Sequence, residues 1–299
     1  MITQPPYLKK GDKIAIVCPA KKLPSSIDKA IDVLKTWGLE VIIGETVNAS
    51  HHQFAGDDAL RAADLQRFLD DPEIKAIIAG RGGYGTIRII DELDFTGFKA
   101  NPKWIVGFSD ITVLLSHILA TLNIQSIHGQ MPYTFDDATP ESLASLRGAL
   151  FGDPLNYEYT PTLPGRTGKA KGVLIGGNLT LIVMMQGSVS EIDYTDKILF
   201  IEDVGEHEYA IDRMMRMLKR AGKLAKLKGL IVGAFNEQSP ETIPFGVSTE
   251  QVIWDLVKEY DFPVCFNFPV GHIDDNMSMA VGKTARLIVD NKKVELTQY

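Results

Sequence analysis

Short apolar strand patterns alternate with amphipathic helical patterns through the first half of the chain. The strand patterns lie at Lys13–Cys18, Glu40–Ile43, Ala76–Ala79 and Trp104–Val106. The helical patterns lie at Ser26–Trp37, Asp57–Leu69, Thr86–Leu93 and Ile111–Leu122. A regular alternation of this kind is typical of a parallel sheet with helices on both faces. We therefore predict an α/β fold.

The alternation stops at a polar segment rich in Pro and Gly, residues 152–168, which we predict to be a linker. With 299 residues the chain is long enough for two domains. We predict an amino-terminal parallel-sheet α/β domain over residues 1–151 and a smaller β-rich domain over residues 169–299. Strands in the second half are predicted at Gly172–Ile175, Ile198–Ile201, Gly229–Val232, Val264–Phe268 and Ala285–Val289. Helices there are predicted at Leu179–Met185, Ala210–Ala221 and Thr249–Tyr260, and a closing hairpin turns at Asn291.

Composition excludes several classes of protein. The formal net charge of −7 argues against general binding to nucleic acid or to an anionic membrane. The only cysteines, Cys18 and Cys265, cannot form a disulfide scaffold or a Cys-rich zinc site. No apolar run reaches the ~18 residues needed to span a bilayer, and the first residues lack the pattern of a secretion signal. We expect a cytoplasmic protein.

The segment Trp104–Asp110 is the sharpest chemical signal. An apolar strand leads directly into Ser109, and an amphipathic helix begins at once. A serine in such a turn can present its hydroxyl beside the N–H group of the next residue, which is the geometry of a nucleophile elbow. Ile111 replaces the second glycine of the usual pattern, and a Ser or Asp helix cap is the alternative interpretation.

A glycine-rich stretch, Gly80–Gly85, follows one strand and precedes a helix. It matches the dinucleotide-binding pattern, with Asp110 as an acidic residue after the next strand. It lies on the third predicted strand, whereas a dinucleotide fold places it on the first. A tight strand-to-helix turn and a loop whose N–H groups bind another anion, such as an oxyanion, are the other interpretations.

Histidines and carboxylates at strand ends are candidate acid–base groups. His128 and His272 follow strands, where active-site loops of parallel sheets lie, whereas His117 lies within a helix and indicates packing or a surface position. Glu202 ends an apolar strand, where a carboxylate is either solvated or holds a histidine. His207 lies in the same acidic run, but no second histidine stands at ligand spacing, so a metal site is disfavoured.

Taken together, these motifs make the sequence similar to the serine LD-carboxypeptidases, or muramoyl-tetrapeptide carboxypeptidases, a family that includes microcin C self-immunity peptidases. The amino-terminal motifs that carry the resemblance are Phe54–Asp57, Arg61–Leu65, Asp71–Ile77, Arg81–Gly85, Gly107–Asp110 and His128–Gly129. The carboxy-terminal ones are Gly176–Leu179, Phe200–Asp203 and Val270–His272. Gln130 departs from the proline that the family more often has after His-Gly.

The resemblance implies a nucleophile, Ser109, on the first domain, with a general base, His272, and its orienting acid, Glu202, on the second. It makes the dinucleotide match a coincidence and implies an oxyanion hole formed by the N–H of Asp110 with that of Gly82 or Gly83. Arg81 and Tyr84 of the same loop are candidate substrate-binding residues. We expect no metal or organic cofactor.

The implied reaction is cleavage of the amide bond to the terminal D-alanine of muropeptide tetrapeptides in cell-wall recycling. The resemblance also implies a homodimer. Two alternatives stay open. One is a self-immunity peptidase that cleaves peptidyl or aminoacyl nucleotide antibiotics, and the other is a dinucleotide-binding oxidoreductase or binding module that uses Gly80–Gly85.

Overall fold

The computed structural model describes residues 1–236 and 243–299, and these residues form two sheets. In chain order the strands are β1 (Lys13–Val17), β2 (Glu40–Ile43), β3 (Ile74–Ala79), β4 (Trp104–Val106), β5 (Ser126–His128), β6 (Leu155–Tyr159), β7 (Gly168–Asn178), β8 (Lys197–Val204), β9 (Gly229–Asn236), β10 (Val264–Cys265), β11 (Met279–Val281), β12 (Thr284–Val289) and β13 (Val294–Gln298). The α-helices are α1 (Asp28–Thr36), α2 (Asp58–Asp70), α3 (Thr86–Ile89), α4 (Thr96–Ala100), α5 (Thr112–His117), α6 (Pro140–Phe151), α7 (Leu179–Met184), α8 (Glu208–Arg220) and α9 (Thr249–Val257).

The first sheet confirms the α/β prediction. Its strand order is β11-β5-β4-β3-β1-β2, and all neighbours from β5 to β2 are parallel. The carboxyl ends of β3 and β4 therefore meet at one edge of the sheet, where ligands bind in open α/β folds. Strand β11 comes from the second half of the chain and pairs antiparallel with β5, so the two halves share this sheet.

The second sheet is mixed, with the order β10-β9-β8-β7-β12-β13-β6. Strands β7, β8, β9 and β10 are parallel neighbours, whereas β12, β13 and β6 add antiparallel pairs. The predicted hairpin is confirmed, because β12 pairs with β13 from Ala285 opposite Gln298 to Val289 opposite Val294.

The linker prediction for residues 152–168 is wrong at residues 155–159, which form β6. Leu155 and Tyr157 are buried while Asn156 and Glu158 are exposed, which is the period of two that a half-buried strand requires. The strand pairs with β13 at the edge of the second sheet. The Pro and Gly residues around it obscured this short alternation. The domain boundaries at residues 151 and 169 remain a prediction.

Side-chain caps start several helices where the sequence supplies a short polar residue. Asp57 accepts a hydrogen bond from the N–H of Leu60 at 2.8 Å at the start of α2. Thr139 caps α6, and Asn178 caps α7 by accepting from the N–H of Leu181 at 3.2 Å. Such caps satisfy backbone donors that the first helical turn leaves unpaired.

The buried apolar residues of both sheets form one continuous core. Among residues 1–236 and 243–299, no helix combines the length and apolar character that a membrane span needs.

Candidate active site

Ser109 lies in a strained turn directly after β4. Its φ of 60° is in the left-handed region, which a non-glycine residue enters at a cost of ~1–3 kcal/mol. A 3₁₀ turn, Ser109–Ile111, then leads into α5. This strand, strained serine and helix have the order of a nucleophile elbow. The alternative of a Ser or Asp helix cap does not fit, because the cap positions of the 3₁₀ turn and of α5 are Phe108 and Ile111, and neither turn has a side-chain cap.

The glycine-rich loop lies against Ser109. A Cβ atom added to Gly82 would stand 2.9 Å from Cβ and 3.2 Å from Oγ of Ser109. Any side chain at residue 82 would therefore collide with the serine. Next to it, a Cβ on Gly83 would meet the side chain of Lys21. The loop thus brings the backbone of Gly82, one of the predicted donors, beside the serine hydroxyl, whereas the contacts of Gly83 are with Lys21.

Glu202 and His272 form a hydrogen-bonded pair, although 70 positions separate them in the sequence. Nδ1 of His272 lies 2.7 Å from Oε2 of Glu202. The Glu202 side chain is 0% exposed, and that of His272 is 20% exposed. Because the carboxylate accepts the Nδ1 proton, the ring presents Nε2 as the atom that can take up another proton.

Gly271 makes this pair possible. Its φ is +119°, and an added Cβ would lie 2.8 Å from Cβ and 2.9 Å from Oε2 of Glu202. The loop is fixed by a hydrogen bond from the Gly271 N–H to Oδ1 of Asn276 at 2.9 Å and by one from Nδ2 of Asn236 to the His272 carbonyl at 2.6 Å. A glycine is required here both for the backbone angle and for the close approach.

Phe108 connects the serine turn to the histidine. Its ring centroid lies 4.9 Å from that of His272, so the residue next to Ser109 packs directly on the imidazole. A cavity of about 170 Å³ opens beside them, and its lining includes Phe108, His272, Gln130, Asp137 and Asp274. A small group can therefore approach the imidazole from this side.

Thr112 and Asn178 link the helix after Ser109 to the strand beside Glu202. The N–H of Asn178 donates to Oγ1 of Thr112 at 3.1 Å. Nδ2 of Asn178 donates to Oδ1 of Asp203 at 2.8 Å, and Thr180 donates twice to Oδ2 of the same carboxylate. Burial and the neighbouring charge of Glu202 raise the pKa of Asp203 to about 6. These contacts give a structural reason for the Gly176–Leu179 and Phe200–Asp203 motifs.

His128 lies behind the pair and is fully buried. Its ring packs 5.1 Å from Phe200 and 5.7 Å from Phe108, centroid to centroid. Burial lowers the pKa of His128 to about 4, so the ring is neutral at physiological pH. The two strand-end histidines therefore differ: His272 reaches the cavity, and His128 cannot contact a substrate.

The structure also shows the surroundings of three further residues that the sequence analysis considered, Arg81, Tyr84 and His117. Arg81 donates to the Lys22 carbonyl at 2.9 Å and lies over the Tyr133 ring. Tyr84 is 44% exposed. As expected, His117 is packed, and its Nδ1 lies 2.9 Å from Oγ of Ser190.

The acidic run around His207 forms no cluster in the described part of the chain. His207 precedes α8 and stacks on Tyr209. Among residues 1–236 and 243–299, no three His, Cys, Asp or Glu side chains converge in a way that could hold a metal ion.

The dinucleotide interpretation does not fit the contacts of Asp110. Its carboxylate is buried and accepts the N–H of Thr86 at 2.8 Å, so it faces the glycine-rich loop and cannot reach a ribose hydroxyl. Residue 82 of that loop packs on Ser109, where a pyrophosphate would have to lie.

Two family models match consecutive parts of the chain. The LD-carboxypeptidase N-terminal domain matches residues 14–129, and the LD-carboxypeptidase C-terminal domain matches residues 171–287. Together with the fold, these matches define the protein as a serine peptidase. The chain belongs to the LD-carboxypeptidase family, as the sequence resemblance predicts.

Individual relatives agree with this family. A probable murein peptide carboxypeptidase of Bacillus subtilis is 36% identical, over 95% of this chain and 91% of its own length. The crystal structure of muramoyltetrapeptide carboxypeptidase from Oxalobacter formigenes has a TM-score of 0.86 and 30% identity, and the match covers 96% of this chain and 98% of that one. Microcin C7 self-immunity protein MccF in complex with aspartyl sulfamoyl adenosine has a TM-score of 0.86 at 22% identity, covers 100% of this chain and 99% of its own, and shares the fold.

Proposed function

We propose that the protein is a serine-type LD-carboxypeptidase that releases the terminal D-alanine of muropeptide tetrapeptides in cell-wall recycling. The observation that carries the proposal is the buried Glu202 carboxylate bound to Nδ1 of His272 at 2.7 Å. Through Phe108, this imidazole packs against the strained turn of Ser109. The substrate class comes from relatives whose names specify murein peptides.

Ser109 acts as the nucleophile in this mechanism. Neutral His272 accepts the hydroxyl proton at Nε2 as Oγ attacks the amide carbonyl that precedes D-alanine. The imidazolium that forms is stabilised by Glu202, whose 0% exposure keeps water from weakening the interaction. His272 then gives the proton to the departing amine of D-alanine, and an ester links Ser109 to the remaining tripeptide.

The oxyanion is held by backbone donors in this proposal. The N–H of Asp110 is one donor, and that of Gly82 or Gly83 is the other, since this loop packs against Ser109. One such donor is typically worth ~3–4 kcal/mol of transition-state stabilisation. Water, activated by His272, then hydrolyses the ester and restores the serine hydroxyl. The steps involve no metal or organic cofactor.

A carboxypeptidase must also bind the free carboxylate of its substrate. Arg81 and Tyr84 stand in the loop beside Ser109, and we propose them as contacts for this end of the peptide. The Arg81 guanidinium has more N–H groups than its bond to the Lys22 carbonyl uses. We further propose that the enzyme works in the cytoplasm as a homodimer, and light scattering that gives only a ~33 kDa species would reject the dimer.

The test offers purified protein four compounds: a muropeptide tetrapeptide ending in D-Ala, its L-Ala epimer, the pentapeptide and an aminoacyl sulfamoyl adenosine. We expect D-Ala release from the tetrapeptide only. Rapid cleavage of the adenosine compound without D-Ala release would instead support a self-immunity peptidase. Binding of NAD(P) with no hydrolysis of any compound would support the dinucleotide alternative.

A further inference from the structure

The peptide bond between Gly85 and Thr86 is held at both of its polar ends by buried charged side chains. Its carbonyl, on Gly85, accepts a hydrogen bond from Nη1 of Arg61 at 3.0 Å. Its N–H, on Thr86, donates to Oδ2 of Asp110 at 2.8 Å. Arg61 is 0% exposed and Asp110 is 2% exposed. One peptide group thus lies between a guanidinium and a carboxylate, and we call these four residues the peptide clamp.

The Arg61 side of the clamp is fixed independently of the loop. Nη1 also donates to the Pro19 carbonyl at 2.5 Å, Nη2 pairs with Asp58, and the guanidinium lies 4.9 Å from the Phe54 ring centroid. Gly85 has a φ of +145°, and an added Cβ would stand 2.7 Å from Nη1 of Arg61. Only glycine allows this approach of the loop to the guanidinium.

The Asp110 side of the clamp belongs to the serine turn. Asp110 follows Ser109 directly, and its carboxylate reaches across to the far end of the glycine-rich loop. Burial raises the pKa of Asp110, and hydrogen bonds from Thr86 and from the Gly85 backbone oppose that shift. A buried carboxylate of this kind is costly unless donors hold it in place, so the arrangement is rigid while they do.

We propose that Asp110 is a positioning residue whose side chain holds the glycine-rich loop at a fixed distance from Ser109, with Arg61 as the opposing anchor. Asp110 then serves both donors of the oxyanion hole. Its backbone supplies one N–H, and its carboxylate holds the glycine-rich loop that supplies the second N–H. This inference rests on the proposed function, because it assigns the clamp to an oxyanion hole. If the clamp stabilised only the fold, its loss would lower stability without a specific effect on the chemical step.

The experiment compares Asp110→Ala and Asp110→Asn with matched changes at Asp64. Asp64 is also a buried carboxylate of the first sheet's domain that accepts a backbone N–H, that of Thr46 at 2.9 Å, but it lies outside the clamp. We expect Asp110→Ala to lower kcat for D-Ala release by about 10- to 100-fold. This decrease is smaller than the decrease in kcat expected when an oxyanion donor is removed completely. KM should change less than threefold. Asp110→Asn should retain kcat within about fivefold of wild type, because its amide oxygen can accept the Thr86 N–H.

The control separates positioning from stability. Asp64→Ala should destabilise the protein by a similar amount and leave kcat within about threefold of wild type. Where Asp110→Ala does not fold, Asp110→Ser carries the same expectation, since its hydroxyl is too short to reach the Thr86 amide. A kcat for folded Asp110→Ala or Asp110→Ser within threefold of wild type would overturn the proposal. An equal loss of kcat in Asp64→Ala would overturn it as well, and so would a loss confined to KM.

A readout without substrate distinguishes failure of the clamp from failure of the proposed function. Hydrogen exchange at the Thr86 amide should be at least tenfold faster in Asp110→Ala than in Asp64→Ala. Wild-type protein that releases no D-Ala would reject the proposed function, and the exchange rates would still decide whether Asp110 holds the loop. Unchanged exchange at Thr86 would reject the clamp whatever the enzyme's activity.

Discussion

The substitution Glu202→Gln tests how the buried carboxylate contributes to catalysis. Glu202 is 0% exposed and its Oε2 lies 2.7 Å from Nδ1 of His272, so in the proposed mechanism the imidazolium forms next to a buried anion. For charge centres ~4 Å apart at an effective dielectric of ~20, the attraction is about 4 kcal/mol. At ~1.4 kcal/mol per factor of ten, its loss predicts a decrease in kcat of about 10³-fold. The glutamine side chain is also able to donate its amide N–H to Nδ1, which would favour the wrong tautomer of the ring.

The assay is steady-state release of D-Ala from the tetrapeptide, with the free energy of unfolding measured in parallel. The matched control is Asp203→Asn, which neutralises the adjacent buried carboxylate on the same strand. That carboxylate binds Asn178 and Thr180, and Asn can keep hydrogen bonds to both, so we expect kcat within about tenfold of wild type. A folded Glu202→Gln enzyme that kept kcat within tenfold of wild type would refute this account of the carboxylate.

Three further predictions concern the same region. Gly271→Ala should lower kcat at least tenfold and destabilise the fold by ~1–3 kcal/mol, because the φ of Gly271 is +119° and the new Cβ would lie 2.8 Å from Cβ of Glu202. Kinetics and denaturant unfolding measure the two effects, and a kcat equal to that of wild type would contradict the prediction. The pKa of His128 is about 4 in the folded protein, below its ordinary value of 6.5. As the pH falls, the unfolded chain therefore protonates this imidazole before the folded protein does. The free energy of unfolding should decrease as the pH drops from 6.5 towards 4, by up to ~1.4 kcal/mol per pH unit. His128→Gln should remove that part of the slope in unfolding titrations, and an unchanged slope would assign the acid sensitivity to other groups. Exhaustive chelation should leave activity unchanged, because the mechanism assigns Glu202 to His272; activity lost on chelation and restored by one divalent metal would favour a metallo-amidase.

Much of the fold follows from local pattern. The strand–helix alternation predicts β1 to β4 and the helices α1, α2 and α3, because apolar runs and helical spacing mark these segments. The five-residue helix α4 was not predicted. Strands β6 and β11 do not follow in this way. The alternation in Leu155–Tyr159 is surrounded by Pro and Gly, and the three residues Met279–Val281 are not followed by a helical pattern that would place them in the alternation. Strand β11 is fixed by pairing with β5, a contact between distant parts of the chain.

The candidate site, like the fold, can be predicted from the sequence only in part. The junction of β4 with Ser109 and the carboxylate at the end of an apolar strand are visible in the sequence. The residues alone do not pair Glu202 with His272, since that contact depends on how the second sheet folds; the family resemblance supplied it. His272 reaches the cavity whereas His128 is fully buried, and a position at the end of a strand does not determine which of the two occurs. The clamp formed by Arg61, Gly85, Thr86 and Asp110 joins three separate elements, so no local motif indicates it.

In the proposed mechanism, Ser109 attacks the carbonyl that precedes D-alanine. The most direct measurement is an acid quench during turnover of the tetrapeptide, followed by peptide mapping by mass spectrometry. We expect the peptide containing Ser109 to gain the mass of the tripeptide acyl group, and folded Ser109→Ala protein to show neither this adduct nor D-Ala release. D-Ala release that persists in Ser109→Ala, with no acyl adduct on the wild-type peptide, would contradict this mechanism.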